Sequence, residues 1–258
     1  LLLLGDRYRL DRAVWSDALG TLHDGVTLKS GAAVWVWLLS PKSGVSPTRL
    51  RAMAESARKA AAVAHPVFAH VLSVLSEEDR LCLVLERPGG RPVSELLGVS
   101  SRASPYSAIE LLRCAAEALD CAHARGVVHG HLSPSNLLLA PEGAVRISGL
   151  GVPRAAEQAF QAPEQAFGPP SSASDVFGLS ACAYALLTGR APFPGPDYAE
   201  QKRRMLLEPL SKAAEGLSMK SDMVLRRGMA PDPSLRFRSC VEFISALRGA
   251  SAIRRRSV

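Results

Sequence analysis

The chain has 258 residues, 47% hydrophobic and 21% charged, with a formal net charge of +7. That composition excludes a disordered or collagen-like chain, and no apolar run is long enough to span a bilayer. The charge is spread out, with no basic stripe interleaved with aromatics, which argues against a nucleic-acid-binding surface.

Leu1 to Leu4 is too short for a signal-peptide core and has no basic segment before it. The first residue is not Met, so a longer parent protein is expected. Tyr8 to Val14, Thr21 to Leu28 and Ala33 to Leu39 read as strands, parted by turn signals at Asp24-Gly25 and Ser30-Gly31. Arg49 to Ala64 lacks Gly and Pro and reads as a helix ending near Pro66. Val71 to Leu75 and Leu81 to Glu86 read as two further strands with Asp79 in their turn, and Pro88-Gly89-Gly90 marks a hinge.

Beyond the hinge the chain becomes helical. Pro105 to Arg125 places Ile109, Leu112, Ala116 and Leu119 on one stripe and stops at Gly126. Val127-Val128, Leu137 to Leu139 and Val145 to Ile147 are short apolar runs, the last two pairing across Glu142-Gly143. Ser174 to Thr188 reads as a buried helix capped by Gly189, and further helices are expected at Tyr198 to Leu207, Ser218 to Met229 and Ser239 to Arg248. Arg254 to Arg256 is the one tight basic cluster, read as a solvated tail, with a juxtamembrane segment as the alternative. Cys82, Cys114, Cys121, Cys182 and Cys240 form no CxxC pair and are expected to be reduced, buried and without metal.

Five segments carry a family resemblance. GVVHGHLSPSN at Gly126 to Asn136 resembles the HRDLKPxN catalytic loop of protein kinases. ISGLG at Ile147 to Gly151 stands where that family has DFG, and QAPEQ at Gln161 to Gln165 resembles its APE motif in the bacterial Ser/Thr form. Ala173 to Phe193 resembles the buried helix that follows, and PDPSLRF at Pro231 to Phe237 the DPxxRF element. The order and spacing identify the chain as similar to a Hanks-type protein kinase domain over residues 8–248. The resemblance implies an α+β, bilobal fold: a β-rich N-lobe with one helix over residues 1–87 and a larger, mostly helical C-lobe over 88–258.

The same resemblance shows which positions depart from the pattern. Phosphoryl transfer needs charge neutralised on phosphates, metals held and a base for the substrate hydroxyl. VAIK becomes Val34-Trp35-Val36-Trp37, so Trp37 replaces the phosphate-binding lysine, and Trp15 to His23 holds no Lys or Arg in compensation. Ser56 falls at the position of the lysine's glutamate partner, with Glu55 beside it. Of GxGxxG only Gly20 survives, while Trp15 crowds the loop and Asp17 adds a negative charge. His131 replaces the catalytic aspartate, Gly130 the arginine that reads activation-loop phosphate, and Ser133 the loop lysine, while Asn136 is kept. Gly149 replaces the metal-binding DFG aspartate. Between Gly151 and Ala162 lie only Val152 to Gln161, about half the family's usual activation segment.

Four scaffold positions match the family: the ion pair of Glu164 and Arg236, Asp175 beneath the catalytic loop, and His129. Trp15, Asp17, Gly20, Trp35, Leu85 and Glu86 then line a degenerate nucleotide pocket, with an indole expected where ATP would sit. These substitutions imply a pseudokinase: a regulatory or scaffolding module that binds protein partners, with no cofactor or metal expected. A nucleotide-binding switch without transfer and an atypical Ser/Thr kinase using ATP and magnesium are the alternatives. The expected location is the cytoplasm, with membrane contact only through flanking segments. His65 is expected to cap or pack beside Pro66, and His70 and His123 to be surface or interface residues.

Overall fold

The computed structural model describes residues 2–4, 6–77, 80–97, 104–154, 157–213 and 217–251. The turn expected at Asp79 and the cluster Arg254 to Arg256 lie outside them. The chain divides into two compact units: Leu1–Gly89 with Ile147–Ala155, and Gly90–Arg146 with Ala156–Val258.

Among its described residues, the first unit is built on six antiparallel strands in the order β1-β2-β3-β4-β6-β5. They are β1 (Leu2–Leu4), β2 (Tyr8–Ser16), β3 (Gly20–Thr27), β4 (Ala33–Leu39), β5 (Val71–Glu77) and β6 (Arg80–Glu86). β1 is an addition to the expected set; a three-leucine run is too short to show a period. Alternation along β4 puts Val34 and Val36 on one face and Trp35 and Trp37 on the other. The first face holds a cluster of Leu10, Val34, Val36, Cys82 and Val84, with Leu4, Tyr8 and Leu38 packed against it. Leu4 belongs to the edge strand and Val84 to the fifth in order, so the sheet curls strongly.

One helix, α1 (Pro47–Ala61), packs on β5 and β6 through Leu50, Ala54, Ala57 and Ala60. It starts two residues earlier than expected because Ser46 caps it, accepting from the Arg49 amide at 3.3 Å, with Pro47 in the first turn.

The small sheet β7 (Arg91–Pro92), β8 (Leu137–Leu139) and β9 (Val145–Ile147) belongs to the second unit up to Arg146. The helices of that unit are α2 (Pro105–His123), α3 (Ser172–Thr188), α4 (Tyr198–Arg203), α5 (Leu210–Ala213), α6 (Met219–Gly228) and α7 (Cys240–Ala250). α3 is buried all round from Ser174 to Thr188, and Gly189 ends it in the left-handed region at φ 75°. α4 stops at Arg203, short of the expected Leu207, because Met205 turns left-handed at φ 51°. Val127-Val128 forms no strand. All five cysteines are free; Cys82, Cys182 and Cys240 are buried as expected, whereas Cys114 and Cys121 are half-buried on α2. No described helix is long and apolar enough to cross a membrane.

Candidate functional site

The first unit holds the positions that the family resemblance assigns to a nucleotide pocket, with Trp35 and Trp37 on the sheet face opposite the Val34 cluster. Register pairs Leu22 with Trp37 and Asp24 with Trp35 across β3 and β4, and Leu83 with Trp37 and Leu85 with Trp35 across β4 and β6. Trp37 is wholly buried at 0% exposure. Its indole lies directly on Gly20, where an added Cβ would fall 2.5 Å from Trp37 Cζ2 and from the Leu38 carbonyl oxygen. The one surviving loop glycine is therefore required by the tryptophan beneath it. Trp35 Nε1 donates to Asp24 Oδ1 at 3.2 Å, and Asp24 also receives Arg87 at 2.8 Å and Arg12 at 3.4 Å. Leu85 is buried, and Glu86 is turned back to accept from the His70 amide at 3.2 Å.

The turn from Ser16 to Gly20 is closed on itself. Asp17 Oδ1 accepts from the amides of Leu19 and Gly20 at 2.8 and 2.9 Å, and the Asp17 amide donates to the Gly20 carbonyl at 2.9 Å. Backbone amides of this kind are what a loop offers to phosphate. Here a carboxylate of the loop itself occupies them. The sequence signal was an Asp three residues before a Gly, an Asx-turn pattern; reading Asp17 only as an unfavourable charge missed it.

Two further features were not legible. The Arg154 guanidinium stacks over the Trp15 ring at 4.2 Å, from a segment far away in sequence. Pro88, buried just after β6, has no N–H, so this stretch lacks one of the alternating backbone donors an adenine edge can use.

In the same unit, Gly149 leaves its position without a side chain, and its carbonyl accepts from the Val152 amide at 2.9 Å. Gly151 is left-handed at φ 73°, and a Cβ there would collide with Ala60 of α1. Ser56 is exposed on α1, and the neighbouring Glu55 pairs with Lys59 at 3.0 Å.

The second unit holds the catalytic-loop positions, tied together by hydrogen bonds. Asp175, 1% exposed on α3, accepts from the His129 and Gly130 amides at 2.8 and 2.7 Å. Asn136 Oδ1 accepts from the Ser133 amide at 3.0 Å, and its Nδ2 donates to the His131 carbonyl at 2.8 Å. Ser133 Oγ donates to Glu157 at 2.7 Å, and Gln165 Nε2 donates to the Gly130 carbonyl at 2.6 Å. The imidazoles of His129 and His131 meet at a 40° tilt with centroids 4.4 Å apart. Lys202 of α4, 5% exposed among Phe177, Phe193 and Tyr198, donates to the Gln158 carbonyl. Burial lowers its pKa to about 8, against the pull of Glu164.

Arg236 is fully buried and grips Glu164 with two hydrogen bonds of 2.7 Å, while its Nε donates to the Ala230 carbonyl at 2.8 Å. Burial works against the charge on Glu164, but the Arg236 guanidinium holds its carboxyl below the usual range. Of the two places expected for His123, surface or interface, it takes the inner one, where α2 meets α3. Its side chain is 12% exposed and its Nε2 lies 2.7 Å from Asp175 Oδ2. Burial opposes its charge, yet Asp120 and Asp175 override that and raise its pKa to about 9. Asp120, His123 and Cys240 bring donor atoms within 4.8 Å of one another, but both Asp120 oxygens already accept from the Cys240 and Val241 amides at the start of α7.

Residues 41–248 match the family model described as protein kinase domain. The serine/threonine-protein kinase PknA of Mycobacterium tuberculosis is 30% identical over 98% of this chain, which spans 63% of that protein's length. PknB of the same organism is 26% identical over 93% of the chain and 42% of its own length. Among solved structures, the kinase domain of M. tuberculosis PknI matches with a TM-score of 0.79 at 22% identity, covering 97% of this chain and 98% of that one. At that identity the likeness speaks to the fold.

Proposed function

The chain belongs to the protein kinase domain family, with bacterial Ser/Thr kinases among its relatives, and from that premise we propose that it works without phosphoryl transfer, as a regulatory or scaffolding module for protein partners. The observation that carries this reading is Trp37. An indole packed on Gly20 stands where the family's lysine would neutralise phosphate.

The remaining residues point the same way. Asp17 occupies the loop amides that would cradle phosphate and would repel a triphosphate. Magnesium takes one or two carboxylates besides phosphate oxygens, and Gly149 supplies none. Both ends of the Asn136 amide serve the loop backbone. The residues present therefore do not fit ATP and magnesium in the family's usual manner. The scaffold of Asp175, Glu164 and Arg236 supports a stable surface for partners.

A second reading is an atypical Ser/Thr kinase using ATP. It is favoured by the 30% identity to PknA along almost the whole chain, and by Arg154, a cation at the loop from an unexpected position.

The test is thermal unfolding with ATP, with and without magnesium or manganese, followed by a γ-phosphate transfer assay. A ligand that binds only the folded state raises the melting temperature with concentration. No shift at millimolar ATP is expected. A metal-dependent shift without transfer would replace this reading with a nucleotide-binding switch; transfer to protein would establish the kinase.

A further inference from the structure

The apolar residues of α6 face two ways. Leu225 is buried together with Ser221 and Gly228 on the inner side of the helix. Met219 is 75% exposed and Met223 66%. The two methionines are four residues apart, so they stand one above the other on a single outer face. At about 3.6 residues per turn, Arg226 borders that face on one side, and Arg227 and Lys220 border it on the other. The helix dipole favours Arg226 and Arg227 in the last turn, but it disfavours Lys220 in the first.

These cations are weakly balanced. Arg226 donates to the Met205 carbonyl at 3.3 Å, a neutral acceptor, while Asp222, one turn before it, is turned to Ser211 instead. Arg227 lies over the Phe237 ring and 3.9 Å from Glu242. Neither Arg226 nor Lys220 forms an ion pair among the described residues. A second copy of this chain would set these cations against their own kind. A membrane surface is matched by a longer apolar face, or by a run of about four to eight basic residues. Two methionines bordered by Lys220, Arg226 and Arg227 fall short of both. Exposed methionines suit a protein partner, because their unbranched chains repack against varied shapes.

We propose that the outer face of α6 docks an acidic amphipathic segment of a partner protein. Apolar side chains of that segment, one helical turn apart, sit on Met219 and Met223, and its carboxylates meet Arg226 and Lys220. The inference rests on the partner-binding half of the reading above and gives it a surface. It uses none of the nucleotide positions, so the ATP tests bear on that reading and the following ones on this face.

The experiment is a displayed library of random peptides, each long enough for about four helical turns. It is selected on the intact chain and counter-selected on the double variant Met219→Glu with Met223→Glu. The expected survivors carry net negative charge and a pair of apolar residues at helical spacing. The best survivor, labelled and titrated by fluorescence anisotropy, should bind one to one, more weakly as salt rises. It should lose at least tenfold in affinity on the double variant Lys220→Glu with Arg226→Glu. Exchanging its acidic residues for lysine should restore binding to that variant and abolish binding to the parent. Circular dichroism and thermal unfolding of each variant separate a lost surface from a lost fold. The proposal is overturned if counter-selection leaves no peptide, if the survivors are neutral or basic, or if the charge exchange restores nothing. It is equally overturned if phosphatidylserine vesicles bind the parent but not the methionine variant, or if Met223→Glu abolishes a concentration-dependent dimer.

Discussion

Asp17 and Asp175 are both carboxylates that accept two backbone amides each, yet they do opposite things for the family's chemistry. Asp175, in the second unit, takes the amides of His129 and Gly130 and so holds the catalytic loop in shape. Asp17, in the first, takes the amides of Leu19 and Gly20 and so closes its own turn; on the reading proposed above, those amides are then not offered to phosphate. The contrast extends outward. Around Asp175 the buried charges are paired: His123 with Asp120 and Asp175, and Arg236 with Glu164. Around Asp17 the aromatic bulk of Trp37 stands at the family's lysine position, and a cation comes to the loop as Arg154 over Trp15. Architecture survives where polar groups hold backbone; it changes where they would hold ligand.

The sharpest way to break this contrast is to strand a charge in the second unit. Glu164→Ala leaves Arg236 buried and unpaired, and chemical denaturation should show a loss of about 3–5 kcal/mol. If the loss is under about 1 kcal/mol, the pair is not what holds this scaffold.

Trp37→Ala tests the other unit. Removing a fully buried indole should cost about 3–5 kcal/mol, and Trp37→Lys should cost a similar amount without gaining phosphotransfer. Activity in Trp37→Lys would mean that the loss of chemistry rested on one residue.

A smaller effect lies in pH. The folded pKa of His123 is raised to about 9, so its contribution is present below its unfolded value near 6.5 and fades as pH rises toward 9. Lys202 acts oppositely: its folded pKa is lowered to about 8, so stability grows as pH climbs from about 8 toward its unfolded value near 10.5. Between pH 6 and 8 the histidine dominates, and stability should fall by about 1–2 kcal/mol after solvent screening. His123→Gln should flatten that fall.

The smallest effect belongs to Asp17. Asp17→Ala removes two local hydrogen bonds and should cost about 1 kcal/mol. It should also free the Leu19 and Gly20 amides. Inorganic phosphate or ADP protecting this variant in thermal unfolding, but not the parent, would identify Asp17 as the stand-in for a ligand.

The strands of β4 and β6, the helix α3 and the positions of Glu164, Arg236 and Asp175 were legible in the sequence because each has a local mark: alternation, an unbroken apolar run, or a motif at fixed spacing. Trp37 was legible as a replacement, but its packing on Gly20 was not, since only the β3–β4 register brings them together. His123 was left between surface and interface because its partner, Asp175, lies 52 residues on. Arg154, Pro88 and Lys202 carried no motif. Their meaning comes from tertiary neighbours, which spacing along a chain does not encode.

The short segment after Gly151 has one consequence of its own. Glu157 is fastened to Ser133 and Gln158 to Lys202, so two successive residues are moored from different sides. To lift this strap, both bonds would have to break together. On the reading proposed above, that makes the strap a fixed part of the surface offered to partners, closer to a rivet than to a latch.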